Sequence, residues 1–193
     1  MNKIVLIELK LKTFTEQDAF DYCQINNINI SDITELCLQN NQLTDISGVK
    51  LFKNINKLDL YNNKLTDISV LKDLTGLKKL YLWNNQITDI SVLKDLINLE
   101  ILSLNRNKLT NISDLKDLNK LEELYISDNE LTDISVLKDL KNINILNIVN
   151  LQLESDQIQY IKSLKNLNTL WCKNGFKNMS VINKFNKNIK IYE

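Results

Sequence analysis

The sequence predicts an α/β solenoid, a stack of short parallel strands on one face with short 3₁₀ or helical arms on the other. Three observations carry this. The chain repeats itself every 22 residues. Each repeat holds one stretch of strand-like in–out alternation, and the rest of each repeat is apolar at every third position.

Blocks beginning at Ile33, Ile55, Leu77, Leu99 and Leu121 are each 22 residues long and align without a gap. The block from Leu77 reads LKKLYLWNNQITDISVLKDLIN, and that from Leu121 reads LEELYISDNELTDISVLKDLKN. A sixth block from Ile143 is two residues longer, and a degenerate seventh starts at Leu167. Leu80-Tyr81-Leu82 alternates as a short strand with one buried face does. Asn84-Asn85 then turns the chain. Ile87, Ile90, Leu93 and Leu96 follow at spacings of three, the interval at which side chains eclipse on a 3₁₀ helix. Ser91 is placed to cap that arm through its hydroxyl. A lone block has too few apolar side chains to offset the ordering of its backbone, so the stack is the folding unit.

These boundaries predict one domain over residues 1–193. Residues 1–32 cover the first coil, 33–166 form six repeats, and 167–193 hold the degenerate repeat and a closing segment. In the cover, Ile4 to Leu11 alternates like a strand with Val5, Ile7, Leu9 and Leu11 on one face. Thr13 to Gln24 reads as a helix, with Thr13 and Glu16 fitting a capping box and Phe14, Phe20 and Cys23 aimed at the first repeat. At the far end Met179, Ile182 and Phe185 continue the spacing of three, and Ile189 to Tyr192 reads as a last strand.

The Asn at the ninth place of each block, Asn41, Asn63, Asn85, Asn107 and Asn129, stands where the chain leaves the strand. An inward amide there can donate to and accept from the backbone of adjacent coils. The alternative is a polar row that binds a ligand. The row breaks at Leu151, where the two extra residues enter, and this predicts a different turn there.

Composition narrows function. Lys plus Arg and Asp plus Glu are 24 each, so the basic excess of a nucleic-acid or membrane-surface binder is missing. With 44% hydrophobic and 25% charged residues the chain has the makings of a folded core. There is no His, the commonest general base and metal ligand. Nor is there a glycine-rich loop or a cysteine with a catalytic partner, so no catalytic residue, metal or cofactor is expected. Cys23, Cys37 and Cys172 have no C-x-x-C spacing and read as small hydrophobes in a reducing compartment. The apolar run at the amino terminus is cut short by Glu8, and no stretch reaches the ~20 apolar residues of a membrane span. The expectation is a cytoplasmic protein, or a secreted one if an export signal lies outside this sequence. Asn29-Ile30-Ser31, Asn111-Ile112-Ser113 and Asn178-Met179-Ser180 match glycosylation acceptors, as chance allows in an Asn-rich chain. Asp45, Asp67, Asp89 and Asp133 recur on the turn into each arm. They read as a solvated turn or a local cap rather than calcium ligands, which need several oxygens in a Gly-rich loop.

The blocks resemble the 22-residue class of leucine-rich repeat found in the internalins of Gram-positive pathogens and in the leucine-rich regulatory subunit of protein phosphatase 1. The resemblance runs from about Ile33 to Leu170, and NNQITDIS at residues 84–91 is especially close to the internalin form. It implies a right-handed solenoid with the parallel sheet on the concave side, and a binding role. Two departures are Val70, Val92 and Val136 where internalins often carry Pro, and the lack of a secretion or cell-wall sorting motif.

On such a solenoid the side chains flanking the inward leucines project from the concave face. Tyr61, Tyr81, Trp83, Arg106 and Tyr125 then form a cluster, with Asn105 beside them. Trp, Tyr and Arg are the residues that dominate protein interfaces, and the other reading is cross-strand pairing that stiffens the sheet. Trp171 fits either binding or the closing segment. The sequence therefore predicts a non-catalytic module that binds another protein, as a monomer or weak homodimer, and serves as an adaptor or an inhibitor. The alternatives are an exported virulence factor of internalin type and a purely structural scaffold.

Overall fold

Leucine or isoleucine recurs at the centre of every strand, and that residue sets the sheet. A computed structural model describes residues 3–6, 10–184 and 189–192. Nine strands run in chain order through one parallel sheet: β1 Lys3–Val5, β2 Glu35–Cys37, β3 Lys57–Asp59, β4 Lys79–Tyr81, β5 Ile101–Ser103, β6 Glu123–Tyr125, β7 Ile145–Asn147, β8 Thr169–Trp171 and β9 Lys190–Tyr192. Equal block lengths keep equivalent residues in register, so Leu36, Leu58, Leu80, Leu102, Leu124 and Leu146 form one inward row, each fully buried.

The arms return through 3₁₀ turns such as Ser69–Asp73, Ser91–Asp95 and Ser135–Lys138. The serine hydroxyl does not cap them. The carboxylate two residues earlier does so instead, Asp89 Oδ1 accepting from Ser91 N at 2.8 Å. Asp45, Asp67 and Asp133 do the same to Ser47, Ser69 and Ser135, with Asn111 serving Ser113. A carboxylate two residues earlier reaches the open N–H more directly than the serine on the turn itself. A further row of amides ties the outer corner, with Asn98 Nδ2 donating to Thr75 O at 2.9 Å and Asn54 Nδ2 to Ser31 O at 2.7 Å.

Three expectations for the first residues are corrected. In β1 it is Ile4, paired with Leu36, that faces inward, and Val5 is 46% exposed. The register of the leucine row decides this, because a one-residue slip would turn every side chain over. Leu6 is buried with Ile4 and Leu11 is half-buried, while Ile7 and Leu9 lie outside the described residues. The helix is α1, Glu16–Ile25, capped by Thr15 and Asp18 rather than Thr13 and Glu16. Thr13 is used in a bridge to Asp45, which holds it in extended backbone. Phe14 and Cys23 are buried, but Phe20 is 47% exposed because it lies on the outer side of α1.

Two substitutions in the first coil fit it to α1. Phe52 stands where later blocks have Leu74 and Leu96, and stacks on Phe14 at 6.2 Å between centroids. Gly48 stands where they have Val70 and Val92. A Cβ there would overlap the Thr15 carbonyl and lie 2.9 Å from Phe14 O, so only glycine lets the incoming chain cross.

The sixth block differs as its length predicts. Asn150 and Gln152 both take positive φ, 60° and 58°, around Leu151. The arm is a 3₁₀ turn Ser155–Gln157 running into α2, Ile158–Lys162. Ile182 is buried within the 3₁₀ segment Met179–Lys184, and Phe185 lies outside the described residues.

Candidate functional site

The sheet leaves its strands through a turn with two asparagine rows. In the inner row, Asn63 Nδ2 donates to Leu38 O and Leu60 O, each at 3.0 Å, while its Oδ1 accepts from Leu43 N at 3.1 Å. Asn85 and Asn107 repeat this pattern, and Asn41 reaches Leu6 O at 2.7 Å. Asn129, half-buried, donates to Leu104 O and Ile126 O. Each amide thus joins its own coil to the one before.

The outer row sits one residue earlier, at Asn40, Asn62, Asn84, Arg106, Asp128, Asn150 and Asn174, all with φ between 51° and 60°. Asn tolerates this left-handed backbone best among residues with a side chain. The exposed amides also bond in series, Asn62 Nδ2 to Asn40 Oδ1 at 2.8 Å and Asn84 Nδ2 to Asn62 Oδ1 at 2.6 Å. Arg106 holds φ 52° without that reward. Its Nε lies 3.9 Å from Asp128 Oδ2, and Asp128 Oδ1 takes up the series again with Asn150.

Beside this edge the concave face carries two separate aromatic groups. Tyr61 and Trp83 stack at 4.6 Å and 12°, and the Tyr61 hydroxyl accepts from Asn40 Nδ2. Tyr125 lies 6.2 Å from Trp171, which in turn stacks on Tyr192 at 5.3 Å. Tyr81 stands apart, with the Lys57 ammonium 5.9 Å from its ring centre. Between the groups lies an open hollow of about 700 Å³ bordered by Tyr81, Trp83, Asn105, Arg106, Glu123 and Tyr125. Ser103 and Ser127, both buried, lie at its base.

Five of the six candidate residues therefore border one hollow. Tyr61 does not; it backs Trp83 from behind. Asn105 is fixed by accepting from Ser127 N at 2.8 Å through Oδ1. Glu123, Ser103 and Ser127 were not among the sequence candidates, although a serine between two tyrosines in one register row is the signal for a gap. Glu123 Oε2 accepts from the Tyr125 hydroxyl at 2.6 Å. Burial first, and then Glu123, push the Tyr125 pKa well above the usual phenol range. Burial, followed by Asp59 and Glu123, raises that of Tyr81. Burial also raises the carboxyl of Asp59. Among the described residues no three His, Cys, Asp or Glu side chains gather as a metal-holding group. Among them, too, no helix is long and apolar enough to cross a membrane.

Residues 31–73 and 75–117 each match the family described as Leucine Rich repeats (2 copies). No curated protein matches the chain. Among solved structures, an internalin (inlF) of Listeria monocytogenes is 32% identical, with a TM-score of 0.78 over 84% of this chain and 48% of the other. The chain thus spans about half the length of that relative. Internalin C2 of the same organism is 27% identical, with a TM-score of 0.67 over 86% of this chain and 78% of its own. A leucine-rich-repeat protein of Leptospira interrogans shares the fold at 23% identity and a TM-score of 0.77, over 100% of this chain and 54% of the other. The repeats, the parallel sheet and these likenesses agree: the chain is a leucine-rich-repeat protein with internalin-like repeats.

Proposed function

We propose that the chain is a non-catalytic module that binds a partner protein on its concave face, and acts as an adaptor or as an inhibitor covering the partner's surface. Tyr81, Trp83, Asn105, Arg106 and Tyr125 make the contact, with Tyr61 supporting Trp83. The hollow these residues border carries the reading, since aromatic and Arg side chains around a small-residue floor are what a buried anchor of a partner needs. Arg106 supports it further. A residue kept at φ 52° where Asn would be relaxed points to selection for its side chain.

The test is affinity capture from cells of the source organism with the wild type and a Tyr81→Ala/Trp83→Ala double variant. A protein retained by the wild type and lost by the folded variant supports the reading. Equal capture by both would sink it and leave the aromatics as sheet stiffeners.

The likeness to an internalin favours a second reading, an exported factor that binds a host protein with the same face. Fractionation of the source culture separates the two, because the adaptor or inhibitor stays with the cells and the exported factor enters the medium.

A further inference from the structure

The floor of the hollow is narrow and its walls are aromatic. Tyr81, Ser103 and Tyr125 are register partners on β4, β5 and β6. Two strand spacings separate the tyrosine backbones by about 9.6 Å. The point above Ser103 lies about 4.8 Å from each tyrosine strand, and a cation–π contact reaches ~6 Å from a ring centre. Tyr81 already has a cation, Lys57, within 5.9 Å of its ring.

The charges at the hollow do not balance. Arg106 and Asp128 face each other at 3.9 Å and offset one another. Lys57 is 3.8 Å from Glu35, which also faces Lys3. Glu123 has no ion-pair partner among the described residues, Lys79 across Ile101 included. One of its oxygens accepts from the Tyr125 hydroxyl, which fixes the carboxylate at the wall. Behind burial, this carboxylate is among the causes that raise the phenol pKa values of Tyr81 and Tyr125, so it stands close enough to act on both rings.

We infer that the hollow receives an arginine side chain from an extended segment of the partner, its guanidinium lying between Tyr81 and Tyr125 and paired with Glu123. A planar guanidinium suits this place better than an ammonium, because it stacks on a ring while donating in its plane to a carboxylate. Ser103 provides the depth, and any larger residue there would fill the slot. The inference rests on the proposed binding role of the concave face and adds the chemistry of the anchor.

The experiment is an NMR titration of the full chain, ¹⁵N-labelled, with the blocked pentapeptide Gly-Gly-Arg-Gly-Gly and with its citrulline counterpart, equal in shape but uncharged. The arginine peptide is expected to shift the amides of Ser103, Asn105, Glu123 and Ser127 with millimolar affinity. Citrulline should bind at least about fivefold more weakly. Glu123→Gln should erase the preference for arginine, and Tyr81→Leu should weaken both peptides, each variant keeping the wild-type dispersion of amide signals. Equal binding of the two peptides, shifts scattered away from the hollow, or a preference that survives Glu123→Gln overturns the assignment. If the arginine peptide fails while capture of a partner still depends on Tyr81 and Trp83, the guanidinium assignment alone falls. If the peptide binds as stated while capture ignores those residues, the site stands and the proposed function falls.

Discussion

Asn85 Nδ2 donates to the carbonyl of Leu60, one coil back, at 3.0 Å. The same amide donates to Leu82 O, and its Oδ1 accepts from Leu65 N, so one side chain satisfies three buried backbone groups. Removing it strands the Leu65 N–H, while Leu60 O keeps Asn63 Nδ2 and Leu82 O keeps Asn107 Nδ2, and a buried group left unpaired costs about 1–3 kcal/mol. Asn85→Leu is therefore expected to lower the unfolding free energy by about 1–3 kcal/mol, read by urea denaturation. A loss under about 1 kcal/mol would show that water serves these groups as well as the amide does.

The crossing of the incoming chain over Gly48 gives a contrast between two glycines. Gly48→Ala forces a methyl into the Thr15 carbonyl, whereas a Cβ on Gly76 meets only Ile55 O at 3.6 Å. Gly48→Ala should cost about 2 kcal/mol or more as backbone shifts to accept it, and Gly76→Ala should lie within about 0.5 kcal/mol of wild type. Thermal unfolding of the two variants checks this, with hydrogen exchange locating the loss at α1. Similar midpoints for both would mean that the segment around Thr15 moves aside freely.

The repeat made the solenoid legible, because equal block lengths leave one register for the leucine row. Five of the candidate residues were legible for the same reason, since the fifth and seventh places of each block must flank that row, and Arg106 stood out by breaking the Asn row at the eighth place. What escaped was whatever depends on local competition. Thr15 and Asp18 outdid Thr13 and Glu16 as a cap because Thr13 was needed opposite Asp45. The sequence offered both Ser91 and Asp89 as caps of the arm, and it is Asp89 that reaches the open N–H. The division of the aromatics into two groups around a hollow also escaped, because it depends on which way rings lean. Tyr125 closes on Trp171, two strands away, and so leaves the space above Ser103 open.

The contact proposed for Arg106 sets stability against binding. Its φ of 52° is one that Asn adopts more easily, and an amide there would restore the series from Asn84. Arg106→Asn is expected to raise stability by about 0.5–1 kcal/mol while weakening capture of the partner. Chemical denaturation and the capture assay give the two halves. A variant that loses stability would show that the guanidinium contributes more to the fold, through Asp128, than the backbone preference takes away.

Tyr125 gives the chain an alkaline limit. Burial and the carboxylate of Glu123 hold its proton more tightly in the folded chain than in the unfolded one. Above the ordinary phenol pKa of about 10 the unfolded chain loses this proton first. The folded state then binds more protons, so stability falls as pH rises from the unfolded towards the folded value, and is fully present below that window. The slope is at most about 1.4 kcal/mol per pH unit for one group, and less after solvent screening of a half-exposed side chain. Urea denaturation at pH 9 and pH 11 should show the wild type losing more than Tyr125→Phe. Burial and Asp59 give Tyr81 a shift of the same sign, so Tyr125→Phe removes only part of the loss. A Tyr125→Phe variant as alkali-sensitive as the wild type would mean that neither burial nor Glu123 holds the Tyr125 proton more tightly in the folded chain.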